Sequence, residues 1–314
     1  MENLIFCLNV TIPVFLTMLL GMAFKHFHIF TDEFVKKLNS FVFSVALPVL
    51  LFNDLSQVDF FSVWDTKFVL FCFFATLLSI LFAYLVSTRL KDRSIQGEFV
   101  QGSYRSSAAI LGIALIENIY GHSTIAPLMI FASVPLYNIM AVVVLSFLKK
   151  DRQSMGKAII IKTAKDIASN PIILGILTGF LWSILKFPQP VIMQKTLNNL
   201  SVLATPLGLM AMGGSFTWQK AEGYLKPAAL CSFIKLIVFV AVFLPIAIAL
   251  GFTQEKIVAI LIMLGSATTV SCFIMAKNMG HEGTLSSTVV MLTTICSAFT
   301  LTFWLFLLKS FSII

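Results

Sequence analysis

The apolar residues of this chain come in blocks, and the length of those blocks limits the folds open to it. Ten stretches can be drawn: Leu4–Phe24, Leu38–Phe52, Phe68–Val86, Gln96–Asn118, Ile125–Leu148, Ile167–Leu185, Leu197–Phe216, Pro227–Phe252, Ile257–Met279 and Leu285–Leu308. Most run to about 20 residues, the helix length that crosses about 30 Å of hydrocarbon. Lipid offers no partner to backbone N–H and C=O groups, so blocks of this kind cross as helices. Charged residues make up only 11% of the 314, against roughly 25% in a soluble domain. These features point to an all-α, polytopic membrane protein and exclude a soluble one. The first stretch has no positively charged lead and no clear cleavage signal, so it reads as a retained span.

Orientation follows from the basic residues. One set of loops and helix ends holds fifteen lysines and arginines, among them Lys36, Lys37, Arg89, Lys149, Lys150 and Lys226; the opposite set holds five. The richer side is expected to be cytoplasmic, which puts both termini outside. The longest cytoplasmic loop is then Lys149–Lys165, joining residues 1–150 to residues 151–314.

Those two halves resemble each other. Pro13 and Gly21 recur as Pro171 and Gly179, and Pro48 recurs as Pro206, all at an offset of 158. Leu38-Asn39 recurs as Leu197-Asn198 and Gly121 as Gly280, both at 159. Each half has five spans, an odd number, so the second half should be inverted relative to the first. Inverted repeats are typical of secondary transporters, whose sites lie at the midplane where interrupted helices meet. The equivalent fourth and ninth spans are the candidates for interruption.

Their composition agrees. Gln101–Gly121 contains Arg105, Ser106, Ser107 and Gly112, and 264–280 contains Gly265, Thr268, Thr269, Ser271 and Cys272. An arginine facing lipid at bilayer depth costs at least roughly 2.5 kcal/mol, so these stretches should line a cavity. Gly112 and Gly265 are the positions that most readily permit a break. Lys235 lies about eight residues into the eighth stretch, where it would add positive potential, snorkel to an interface or pair with Glu98. No aspartate or glutamate occupies a clear midplane position. A positive site without a compensating carboxylate favours an anionic ligand. Arg105 could equally clamp neighbouring carbonyls, and the hydroxyl residues could serve helix packing.

Other functions find little support. The five cysteines are scattered without metal-ligand spacing, and the His26–His28 pair reads as a loop. There is no nucleophile–base pair or phosphate-binding loop, and no cofactor is implied. The net charge of +8 comes without a basic stripe interleaved with aromatics, so nucleic acid is not an expected partner.

Several motifs together resemble the auxin efflux carrier family of permeases, in its bacterial members, over almost the full length. They are Asn170-Pro171 with Gly175 and Gly179, the run from Leu203 to Gly213, and Val134-Pro135-Leu136-Tyr137-Asn138. Arg105-Ser106-Ser107 with Gly112, and the run from Val270 to Gly280, complete the set. The resemblance implies ten helices in two inverted five-helix repeats, a fold shared with bile-acid sodium symporters. Helices one, two, six and seven would form a scaffold. The other six would move, with unwound helices four and nine crossing among them. It also implies a homodimer in a bacterial plasma membrane that carries small organic anions, with H+ or Na+ as the open choices of coupling ion. Arg105, Ser106, Ser107, Gly112, Thr268, Thr269, Ser271 and Pro48 would line the site, and Tyr137 and Asn138 would brace the crossing. Lys235 and Glu98 would act electrostatically. The family commonly has asparagine at the position of Ser107 and proline at those of Ala114 and Ala267. The crossing must therefore rest on glycine and hydroxyl residues, or be less unwound. Two rivals stay open: a non-transporting sensor on the same scaffold, and an ion-coupled carrier of a neutral or sterol-like solute.

Overall fold

The computed structural model describes residues 2–57, 64–121, 125–148, 165 and 167–314. The expected loop at 149–164 lies outside the described residues. Every described regular element is a helix. They run α1 Glu2–His26, α2 Asp32–Ser56, α3 Thr66–Ser87, α4 Gln96–Tyr104, α5 Ala108–Tyr120, α6 Ala126–Phe147 and α7 Pro171–Ile184. Then come α8 Val191–Ser201, α9 Ala204–Ser215, the short α10 Trp218–Glu222, α11 Leu225–Ala249, α12 Glu255–Gly265, α13 Ser271–Asn278 and α14 Thr284–Ser310. Five of these, α2, α3, α6, α11 and α14, are each long and apolar enough to cross a membrane alone. This is a multi-pass membrane protein.

Its surface and interior divide as lipid solvent demands. Helix α3 exposes Leu70, Phe74, Leu78, Leu81 and Leu85, a face that water would not tolerate. Small hydroxyl residues lie inside instead, among them Thr76, Ser79, Ser103, Ser133, Ser286 and Ser297. Several return their hydroxyl to the carbonyl one turn back, as Ser79 does to Ala75 O at 2.7 Å and Ser133 to Met129 O at 2.7 Å.

Two helix pairs approach backbone to backbone. A Cβ on Gly21 or Gly213 would lie 2.3 Å from Met210 O or 2.0 Å from Met18 O, so α1 and α9 can touch only because both positions are glycine. A Cβ on Gly175 or Gly179 would likewise lie 2.5 Å from Pro48 O or 2.8 Å from Phe52 O, which brings α7 against α2.

The second span is longer than its sequence suggested. It runs from Asp32 to Ser56 rather than ending near Phe52. Pro48 lies inside this span. A π-helical turn, Val42–Ala46, precedes it and takes up the distortion that follows from a proline without an N–H. A second π turn, Ile234–Val238, interrupts α11 and carries Lys235.

Candidate functional site

The fourth and ninth of the apolar stretches are interrupted. The fourth stops at Tyr104 and resumes at Ala108; the ninth stops at Gly265 and resumes at Ser271. Neither break contains proline. Arg105 leaves the helix with an extended backbone (φ −73°, ψ 130°), and so does Ser266 (φ −74°, ψ 162°). The first break does not fall at Gly112, which lies inside α5. Glycine permits a break, but tertiary partners placed this one three residues wide at Arg105–Ser107. Gly265, by contrast, is the last residue before the second break.

The two breaks hold each other. Ser107 N donates to Ala267 O at 2.9 Å, and Thr268 Oγ1 donates to Gly102 O at 2.9 Å. Gln101 Nε2 reaches Cys272 O at 2.9 Å, and Thr268 N is met by Thr293 Oγ1 at 3.0 Å. Helix α6 braces the two breaks. Tyr137 Oη donates to Met263 O at 3.0 Å, and Tyr137 O accepts from Tyr104 Oη at 3.1 Å.

Lys235 completes this frame. It is fully buried, so it does not snorkel, and it does not pair with Glu98. Its Nζ donates to Tyr104 O at 3.4 Å, to Leu264 O at 2.7 Å and to Ser106 Oγ. Ser106 Oγ in turn donates to Met263 O. Tyr104 and Leu264 lie at the C-terminal ends of α4 and α12, where unpaired carbonyls carry partial negative charge. One ammonium thus serves both half-helix ends. Glu98 performs the mirror task elsewhere: its carboxylate accepts from Gly283 N at 2.9 Å and Ser286 N at 2.8 Å, at the N-terminal end of α14.

With the C-terminal ends occupied, the N-terminal ends of α5 and α13 face a cavity of about 300 Å³. Ser106, Ser107, Ala108, Thr268, Thr269 and Ser271 border it. Neither of these two helices has a side-chain cap at its start. Most of the remaining wall is apolar, from residues such as Val14, Leu47, Leu51, Val134, Leu209 and Val290.

Arg105 lines the same cavity and is 1% exposed, so its charge is removed from bulk solvent. Nη2 donates to Asn138 Oδ1 at 2.8 Å and to Ser271 Oγ at 2.6 Å, and Nη1 lies 2.7 Å from Met275 Sδ. Asn138 is itself fixed through Nδ2 to Val134 O at 2.9 Å, and Ser271 Oγ reaches Thr269 Oγ1 at 3.3 Å. The guanidinium Nε has no hydrogen-bond partner, and among the described residues no carboxylate pairs with Arg105. A buried cation held only by neutral groups, one of them a thioether, has donor capacity to spare.

Of the residues expected from sequence, Arg105, Ser106, Ser107, Thr268, Thr269, Ser271, Tyr137 and Asn138 come together around this cavity. Pro48 does not: its backbone abuts Gly175, and its neighbours Leu47, Leu50 and Leu51 face the cavity instead. Glu98 and Lys235 are likewise absent from the lining. Asp54 lines the cavity and was missed. It follows Leu47, Leu50 and Leu51 at helical spacing, so the stripe that faces the cavity would have revealed it once the second span was drawn to its true end.

Interrupted helices that meet around a buried cavity with a fixed cation are the construction of a membrane carrier. The chain belongs to the membrane transport protein family, that of the auxin efflux carriers, which it matches over residues 6–305. This is a family of transport proteins and not of enzymes. The chain is also 25% identical over 330 aligned residues to a protein of Rhizobium meliloti (strain 1021) named "Putative malonate transporter", with 96% of each chain covered.

Proposed function

We propose that this protein is a secondary transporter of small organic anions, carboxylates in particular, working by alternating access in a bacterial plasma membrane. The observation that carries the reading is Arg105: a buried guanidinium on a cavity wall, held by neutral groups and without a carboxylate partner. A carboxylate ligand supplies the missing counter-charge and can accept two parallel N–H bonds from a guanidinium. The N-terminal ends of α5 and α13 add partial positive charge on the same side. The name of the Rhizobium relative suggests a three-carbon dicarboxylate as the first substrate to try.

The architecture we infer is ten spans in two inverted five-helix repeats, residues 1–150 and 151–314, with both termini outside. Support comes from the close contacts. Gly21 meets Met210, and adding 158 to one partner and subtracting it from the other gives Gly179 and Phe52, which also meet. Contacts exchanged in this way are what a two-fold relation between the halves would produce. Helices α1, α2 and α7–α9 would form the scaffold. The helices carrying the two breaks would move against it.

Uptake of labelled carboxylates into proteoliposomes, with and without ion gradients, tests the function. Saturable uptake of at least one small carboxylate, competed by malonate, is expected. Ligand binding without flux would favour a sensor, and flux of a neutral solute alone would refute the anion reading.

A further inference from the structure

The cavity holds a second ionisable group that neither the frame nor the role of Arg105 uses. Asp54 lies one turn beyond Leu50 and Leu51 on α2 and shares the face that walls the cavity. Its neighbour Asn53 is held by Asn198, through Nδ2 to Oδ1 at 2.9 Å, and by Gln57 Nε2 at 2.8 Å. Among the described residues Asp54 has no hydrogen bond or ion pair. Glu98 is the useful contrast, since two N–H groups hold it and its ionisation is tied to the fold.

Among the described residues, the surroundings of Asp54 hold few charges. Of the helices packed on this half of α2, α7 carries no titratable side chain and α8 carries only the exposed Lys195. Across the cavity the charged or titratable groups are Arg105 and Tyr137. An arginine does not give up its proton in a protein. One chamber of about 300 Å³ therefore contains a permanent cation and a carboxyl group whose charge can change without breaking any contact of the fold.

The two states of that carboxyl act oppositely on an anion. Ionised, Asp54 offsets Arg105 and repels the ligand through a wall of low dielectric. Protonated, it leaves the charge of Arg105 to the ligand. We propose that Asp54 is the proton-carrying group of the transporter, so that a carboxylate and a proton occupy the cavity together. This rests on reading the cavity as an anion site. The carboxylate of Asp54 takes H+ from the side on which substrate loads and returns it on the side of release. No bond to the substrate forms, and each cycle moves one positive charge with each anion. By linkage, the proton strengthens anion binding by the same factor as the anion strengthens proton binding.

The test is calorimetric titration of the purified full chain with malonate, in two buffers of different ionisation enthalpy near neutral pH. The wild type should take up close to one proton per malonate bound, and its Kd should rise by up to about tenfold per pH unit on the alkaline side. Asp54→Asn should bind malonate with pH-independent affinity and no proton uptake, and Asp54→Glu should retain both effects. A proton taken up by malonate itself would persist in Asp54→Asn and would overturn the proposal, as would binding without uptake in the wild type. If Asp54→Asn does not fold, the proton counts of the wild type and Asp54→Glu decide. No binding of malonate, or of any carboxylate in a panel, would instead remove the anion-site reading beneath it. Preferential binding of an α-amino acid, lost in Asp54→Asn, would make Asp54 the partner of an ammonium group and overturn the proposal.

Discussion

Replacing Lys235 by methionine separates a structural clamp from an electrostatic lure. Methionine keeps the length and the apolar stem but donates nothing. Tyr104 O and Leu264 O then lose the donor that meets them at the ends of α4 and α12. A buried acceptor left unsatisfied costs about 1–3 kcal/mol, so two cost about 2–6 kcal/mol. Removing the ammonium also relieves its own desolvation, which is several kcal/mol for a buried ion and offsets part of that loss. A net destabilisation of about 2 kcal/mol is expected, with a lower melting temperature in detergent. Malonate affinity of the surviving folded protein should change little, because Lys235 does not line the cavity. Lys235→Arg should not rescue stability, since three fixed acceptors close around a single nitrogen and leave no room for a planar fork. Unchanged melting with a large loss of affinity would refute the clamp and return Lys235 to the binding site.

Gly213→Ala should destabilise by about 1–3 kcal/mol or more, because its Cβ would sit 2.0 Å from Met18 O and force α1 from α9; a wild-type melting curve would contradict the close approach. Asp65 caps α3 and pairs with Lys256 at 2.6 Å, and that hydrogen bond above all holds its carboxyl below the usual value. A depressed acid stabilises the fold above its unfolded pKa and loses that contribution as pH falls through the folded one. The stability gap between wild type and Asp65→Asn should therefore close below about pH 4; it should be under about 1 kcal/mol, since the pair is partly exposed. A gap constant from neutral to acid pH would show that the charge contributes nothing.

The helices were legible because lipid imposes one rule on all of them: long apolar blocks with polar groups satisfied inside. The region of the site was legible for the opposite reason, since Arg105 and the hydroxyl residues broke that rule in two stretches. What stayed hidden was decided across space. Gly112 had the local freedom for a break, but the chain opened at Arg105–Ser107 because Ala267 O, Met263 O and Lys235 wait there. Glu98 read as a charge partner of Lys235, yet it faces the start of α14, a neighbour distant in sequence. The second span was drawn to end at Phe52, which left Asp54 outside the membrane on paper. The π turn before the proline lets the helix continue for two more turns and brings the acid to the cavity. Loss of the family's crossover prolines did not prevent unwinding, because the breaks are held by tertiary hydrogen bonds and do not depend on a missing N–H.

The central claim is that Arg105 holds a carboxylate in the cavity, and one measurement bears on it directly. Malonate affinity and melting temperature are determined on the same purified samples of wild type, Arg105→Lys and Arg105→Ala. The account predicts at least about tenfold weaker binding in Arg105→Lys, which keeps the charge but loses the paired donors, and a larger loss in Arg105→Ala. Wild-type affinity in a folded Arg105→Ala protein would contradict it.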